Sequence, residues 1–167
     1  DFDTKNNYIA KRLLDLTHKT NPTIVLVPLA SNDSEKTINN FKREYASLNY
    51  NLITLCLTLK PEKNKIIEII NKADILYFSG GSTAFLINFL KENNLLWIID
   101  EAIKRDDLII AGVSAGAIML SSYGLTDQEA YEDHGDFYNY NELEGLGILN
   151  IGFCPHFNLN DRILYFK

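Results

Sequence analysis

Ser114 lies in Gly112-Val113-Ser114-Ala115-Gly116, between the apolar runs Leu108-Ile109-Ile110-Ala111 and Ala117-Ile118-Met119-Leu120. A buried strand that turns at once into a helix, with serine at the turn, is the geometry of a nucleophile elbow. Glycines suit it because the strained turn draws neighbouring backbone so near that a Cβ would collide. The hydroxyl then stands at the strand's carboxyl end, and the amide of Ala115, opening the helix, can point at a developing oxyanion. A plain strand-to-helix turn that contains serine reads the same over five residues, so the rest of the chain decides. Serine needs a base, and there are three histidines. His18 ends a helix among Lys and Thr, a surface position favoured by the helix dipole. His134 falls in the polar loop-like stretch Tyr131-Glu132-Asp133-His134-Gly135-Asp136. His156 follows the apolar Ile151-Gly152-Phe153-Cys154 and then Pro155, so it sits at a strand end and is the candidate general base. A carboxylate should hold its tautomer and stabilise its charged form. Between Ser114 and His156 the chain offers Asp127, Glu129, Glu132, Asp133, Asp136, Glu142 and Glu144, and pattern alone does not choose among them.

A second glycine turn, Ser79-Gly80-Gly81-Ser82-Thr83, follows the apolar run Ile75 to Phe78. It lacks the lysine of a P-loop and the third glycine of a dinucleotide fingerprint, so it is a poor phosphate cradle. As a second oxyanion donor, through the Gly81 amide, it fits. No His, Cys, Asp or Glu set has metal-ligand spacing, and neither a metal nor another cofactor is expected.

These residues are positioned by alternating elements. Apolar positions recur at helical spacing from Lys5 to Lys19, and Thr23 to Leu29 is a β-branched strand. Asp33 or Ser34 caps a helix reaching about Ser47; Asn51 to Leu57 is the next strand, and Pro61 opens a helix to Lys72. Ile75 to Phe78 is a strand, Ala84 to Lys91 and Leu95 to Lys104 are helical, and Leu108 to Gly112 feeds the elbow. Strands alternating with helices of this length predict an α/β fold, a mostly parallel sheet flanked by helices on both faces. Ligands bind such sheets beyond the carboxyl ends of the strands, where Gly81 and Ser114 both fall.

The 167 residues are read as a single α/β domain over 1–167 that lacks terminal elements of a longer chain, because both ends break off abruptly. Net charge is −6 with no Lys/Arg cluster, which argues against nucleic acid or an anionic membrane as partner. No apolar stretch approaches the roughly 20 residues of a membrane helix, and the amino terminus has no signal-peptide pattern. Cys56 and Cys154 lie in apolar strand-like contexts, and read as buried thiols rather than a disulfide; the cytoplasm is the expected location.

Several segments together resemble the dipeptidase E family of serine peptidases, which includes cyanophycinase. They are Val27-Pro28-Leu29-Ala30-Ser31, Phe78 to Thr83, Gly112 to Ala117, Tyr123-Gly124-Leu125-Thr126-Asp127, Gly145-Leu146-Gly147 and Cys154-Pro155-His156-Phe157-Asn158. The resemblance covers nearly the whole chain. It implies a glutamine amidotransferase-like, flavodoxin-like sandwich with serine where those enzymes carry cysteine. It further implies Ser114 as nucleophile, His156 as general base and acid, and Asp127 as the third member, with Glu129 as the alternative. Gly81 and Ala115 would supply the oxyanion amides, and Ser82 stands at a substrate-binding position where the family has Asn or Asp. Family members cleave short peptides with an amino-terminal aspartate, or β-aspartyl-arginine links; Arg162 falls where such proteins place basic residues. The implied partner is a small peptide substrate. Two other readings fit the scaffold: a non-catalytic peptide- or small-molecule-binding member, and an α/β-hydrolase-type esterase. The 42 positions between Ser114 and His156 leave little room for the strands an α/β-hydrolase places there.

Overall fold

Short runs of branched apolar residues form the centre of the molecule, the two inner strands largely buried on both sides and the two outer ones half-buried. The computed structural model describes residues 7–126 and 141–157. Four strands, β1 (Thr23–Val27), β2 (Asn51–Thr54), β3 (Ile75–Phe78) and β4 (Ile109–Gly112), form a sheet ordered β2-β1-β3-β4. Every pairing is parallel, with Val27 opposite Phe78 and Phe78 opposite Gly112. Side chains alternate across a strand, so one sequence fills two cores. Val25, Val27, Leu76 and Phe78 face helices α3 (Lys63–Asn71), α4 (Thr83–Glu92), α5 (Leu96–Ile103) and α6 (Ala115–Leu120). Ile24, Leu26 and Ile75 face α1 (Tyr8–Asp15) and α2 (Glu35–Glu44), where the rings of Phe41 and Tyr45 stack at 4.3 Å. Helices on both faces explain why these strands read as continuous apolar runs.

A second, smaller sheet follows the elbow. It joins β5 (Ser121–Thr126), β6 (Asn141–Glu144) and β7 (Leu149–Phe153) in the order β6-β5-β7, with β5 and β7 parallel and β5 and β6 antiparallel. Only the end of β7, Ile151 to Phe153, lies in an apolar run legible as a strand; β5 and β6 offer none.

Several boundaries differ from the sequence expectation. The first helix stops at Asp15 because Thr17 and His18 donate three residues back, to the Leu14 and Asp15 carbonyls, and His18 takes φ 55°. The strand after Asn51 ends at Thr54, and Leu57–Leu59 tighten into a 3₁₀ turn held by Asp33, whose Oδ2 accepts from the Thr58 amide and hydroxyl at 2.7 Å each. Pro61 stands just ahead of the α3 cap, Glu62, rather than inside the helix. Cys56 and Cys154 form no disulfide and are half-buried rather than buried. Burial, with the Asp33 carboxylate adding, pushes the Cys56 thiol up.

The charged groups of the sheet collect at its amino ends. Asp74, just before β3, accepts from the Thr23 amide at 2.8 Å and from Lys19 at 2.5 Å. Arg105, ahead of β4, donates to the Ile70 and Ala73 carbonyls at 3.0 Å each and pairs with Asp107. The carboxyl ends of β1, β3 and β4 instead carry glycine, serine and free amides.

Candidate functional site

Ser114 caps α6 with φ 50° and ψ −110°, a conformation an L-residue rarely adopts and one that resembles the first central position of a type II′ turn. The turn is tight: the Gly116 amide donates to the Val113 carbonyl at 3.0 Å, and the Val113 amide to the Phe78 carbonyl at 3.1 Å. Gly116 has no room for a side chain, since a Cβ would stand 2.4 Å from the Phe78 carbonyl oxygen. The start of α6 is therefore pressed against the end of β3, and that contact holds the elbow open toward the glycine turn.

The turn after β3 meets the elbow directly. A Cβ on Gly80 would lie 3.3 Å from Ser114 Cβ and 3.9 Å from its Oγ. Gly81 takes φ 143°, and a Cβ there would fall 2.1 Å from the Ala30 carbonyl oxygen, so the loop after β1 forms the other wall. The Ser82 amide donates to that same carbonyl at 2.7 Å. Three strand-end loops thus converge around one hydroxyl, at the place where parallel α/β sheets bind ligands.

Ser114 is half-buried, and among the described residues its hydroxyl makes no hydrogen bond. Nor, among the described residues, does the amide of Gly81 or that of Ala115 donate one. Unpartnered backbone donors beside a serine hydroxyl are what a tetrahedral oxyanion requires. Ser82 caps α4, its Oγ accepting from the Phe85 amide at 3.0 Å. The O–H proton of Ser82 stays available to a second acceptor.

His156 lies three residues beyond β7, exposed, with φ 55°. β7 pairs with β5 so that Phe153 is opposite Gly124, and Gly124 sits so close to α6 that a Cβ would be 2.7 Å from Ile118. The strand leading to His156 is therefore fixed to the helix that begins at Ser114. Among the described residues no hydrogen bond joins Ser114 to His156. Asp127, Glu129, Glu132, Asp133, His134, Asp136 and Arg162 lie outside the described residues. Glu142 and Glu144 are exposed on β6, opposite Leu125 and Tyr123. No three His, Cys, Asp or Glu side chains among the described residues converge as a metal-ligand set. Nor is any described helix long and apolar enough to cross a membrane.

Three residues were not assigned a role from sequence. Ala30 and Ser31 wall the Gly81 turn, and the quoted Val-Pro-Leu-Ala-Ser motif is the signal that marks them. Ser121 is fully buried at the other end of α6, where a serine closing an apolar run offered only a faint sign.

Residues 2–166 match Peptidase family S51. The uncharacterized peptidase YgaJ of Bacillus subtilis (strain 168) is 32% identical over 157 residues, which are 94% of this chain and 64% of that protein. The uncharacterized peptidase Lmo0363 of Listeria monocytogenes serovar 1/2a (strain ATCC BAA-679 / EGD-e) is 27% identical over 137 residues, 81% of this chain and 66% of that one. The chain thus spans just under two thirds of the length of each. Among solved structures, a peptidase from an acI-B1 Actinobacterium superposes with a TM-score of 0.68 at 23% identity, covering 97% of this chain and 66% of that one. A putative peptidase E protein from Listeria monocytogenes EGD-e gives a TM-score of 0.63 at 22% identity, covering 87% and 72%. These structural likenesses establish the fold.

Proposed function

Because the chain belongs to Peptidase family S51, we propose that it carries the nucleophile and base of a serine peptidase acting on small peptides, with dipeptides bearing an amino-terminal aspartate as its substrates. Ser114 Oγ attacks the scissile carbonyl carbon as its proton passes to the His156 imidazole. The oxyanion so formed is held by the Gly81 and Ala115 amides. His156 returns the proton to the leaving amine as the C–N bond breaks, leaving an acyl ester on Ser114. A water molecule, deprotonated by His156, then attacks the ester and frees both the acid and the serine. Asp127 orients the imidazole in this scheme, and the Ser82 O–H contacts the substrate. That Cys56 and Cys154 form no disulfide supports a reducing, cytoplasmic setting.

The observation that carries the reading is the strained Ser114, its hydroxyl unpartnered among the described residues, beside the Gly80-Gly81 turn. A non-catalytic peptide-binding protein is favoured by one observation, the lack of a Ser114–His156 hydrogen bond among the described residues. Catalytic hydrogen bonds often tighten only once substrate is bound, so the open geometry is compatible with the peptidase reading.

Intact mass after incubation with a small fluorophosphonate separates the two. A single adduct is expected on the chain, absent from Ser114→Ala and His156→Ala, together with turnover of Asp-X dipeptides. Saturable peptide binding with no adduct on folded protein would favour the binding scaffold and refute the peptidase.

A further inference from the structure

We propose that the Gly145-Leu146-Gly147 loop and Ser121 form a positioning clamp, locking the nucleophile helix to the strand that leads to His156. The inference rests on the peptidase reading of that site and adds to it residues that touch neither substrate nor reacting atoms. α6 has only six residues, too few to be stable alone, and its last carbonyls need partners from elsewhere. They find them on a loop 25 positions downstream of Leu120: the Leu146 amide donates to the Met119 carbonyl at 2.7 Å. The Gly147 amide donates to the Ser121 carbonyl, and the Gly145 amide to that of Ser122, at 3.0 Å each. From the other side the Ser121 hydroxyl, with no solvent exposure, lies 2.8 Å from the Ile118 carbonyl oxygen and 2.9 Å from that of Tyr123.

The fit leaves no slack. A Cβ on Gly145 would stand 2.1 Å from the Ser121 carbonyl oxygen and 2.4 Å from that of Ile118, both backbone atoms that cannot swing aside. Leu146 and Ile148 pack into the larger core beside it. Two residues after Gly147 the chain enters β7, and His156 follows nine positions from the loop. One loop therefore sets the far end of the Ser114 helix and the starting register of the His156 strand. An error of about 1 Å between reacting groups can cost two orders of magnitude in rate, so a clamp that joins their supports acts on chemistry as well as on folding.

The test is the second-order rate of Ser114 phosphonylation by a fluorophosphonate, at a temperature where near-ultraviolet circular dichroism shows every variant folded. Gly145→Ala should slow labelling by about tenfold or more and Ser121→Ala by about threefold. Leu14→Ala, which hollows the core on the opposite face of the sheet, should lower the melting temperature while leaving the rate unchanged. If Gly145→Ala fails to fold, Ser121→Ala alone decides. Wild-type rates in folded clamp variants, or an equal slowing in Leu14→Ala, would overturn the clamp while leaving the peptidase standing. No labelling of the wild type would overturn the peptidase reading, and the clamp with it.

Discussion

If the elbow stores strain, removing the Ser114 side chain altogether should stabilise the protein. At φ 50° and ψ −110° any residue with a Cβ is held in a sparsely populated region, at a cost of about 1–3 kcal/mol. Ser114→Gly relieves that cost but gives the unfolded chain more freedom, which takes back about 0.5–1 kcal/mol. Because the hydroxyl makes no hydrogen bond among the described residues, none is lost there to offset the gain. Ser114→Ala keeps the Cβ and the strain, so it is the proper reference. The glycine variant should exceed it in stability by about 0.5–2 kcal/mol, which for a chain of this size is a rise in melting temperature of about 1–8 °C. Urea titration and calorimetry of the two variants measure the difference directly, and both variants should be inert to the fluorophosphonate. A Ser114→Gly protein no more stable than Ser114→Ala would refute the claim that the turn is strained.

Two further outcomes follow from other contacts. Ser82→Ala removes the cap on α4 and leaves the Phe85 amide without its acceptor, so urea unfolding should show a loss of about 1 kcal/mol. Tyr77 is pushed up to about 12 by burial, with the charge of Glu44 adding. The folded protein then keeps a proton that the unfolded chain gives up near its ordinary value of about 10, so stability must fall as pH rises from 10 to 12, by at most about 1.4 kcal/mol per pH unit. Burial pushes Tyr45 up as well and contributes a slope of the same sign. Stability curves of the wild type and Tyr77→Phe across that window should diverge, the variant falling less steeply; parallel curves would show that the phenol titrates normally.

The parallel sheet was legible because burial on both faces writes itself as runs such as Thr-Ile-Val-Leu-Val and Ile-Leu-Tyr-Phe, which only a two-sided core explains. Ser114 was legible for a related reason: glycines two positions before and after it mark a turn where backbone meets backbone, and the Gly116 contact with Phe78 is that meeting. The second sheet was legible only at the end of β7, ahead of His156. Asn141–Glu144 reads Asn-Glu-Leu-Glu, with no apolar stripe, and its position is set by pairing with β5 rather than by its own pattern. Helix and strand ends were misjudged where a side chain far away in sequence intervenes, as Asp33 does in turning the chain at Thr58. The role of the Gly145 loop was invisible for the same reason: its partners are carbonyls, which leave no mark on residue type.

The distribution of polarity gives the site its chemical logic. Ion pairs sit at the amino ends of the strands, Lys19 with Asp74 and Arg105 with Asp107, where they tie loops to the sheet. At the carboxyl ends of β1, β3 and β4 the described side chains are uncharged up to the Asp33 turn, and the available donors are backbone amides and the Ser82 hydroxyl. A fixed amide needs no reorganisation as charge develops on a carbonyl oxygen, whereas a lysine or arginine would bind an anionic substrate and its transition state alike. In the proposed reaction such a surface would stabilise an oxyanion without trapping the product acid. The work of recognition is then left to side chains around the elbow, and the work of alignment to the two ends of α6. At one end Gly116 fits against Phe78, and at the other Gly145 fits against Ser121. A six-residue helix fixed at both ends by glycines that admit no Cβ has one place for its first residue, and that residue follows Ser114.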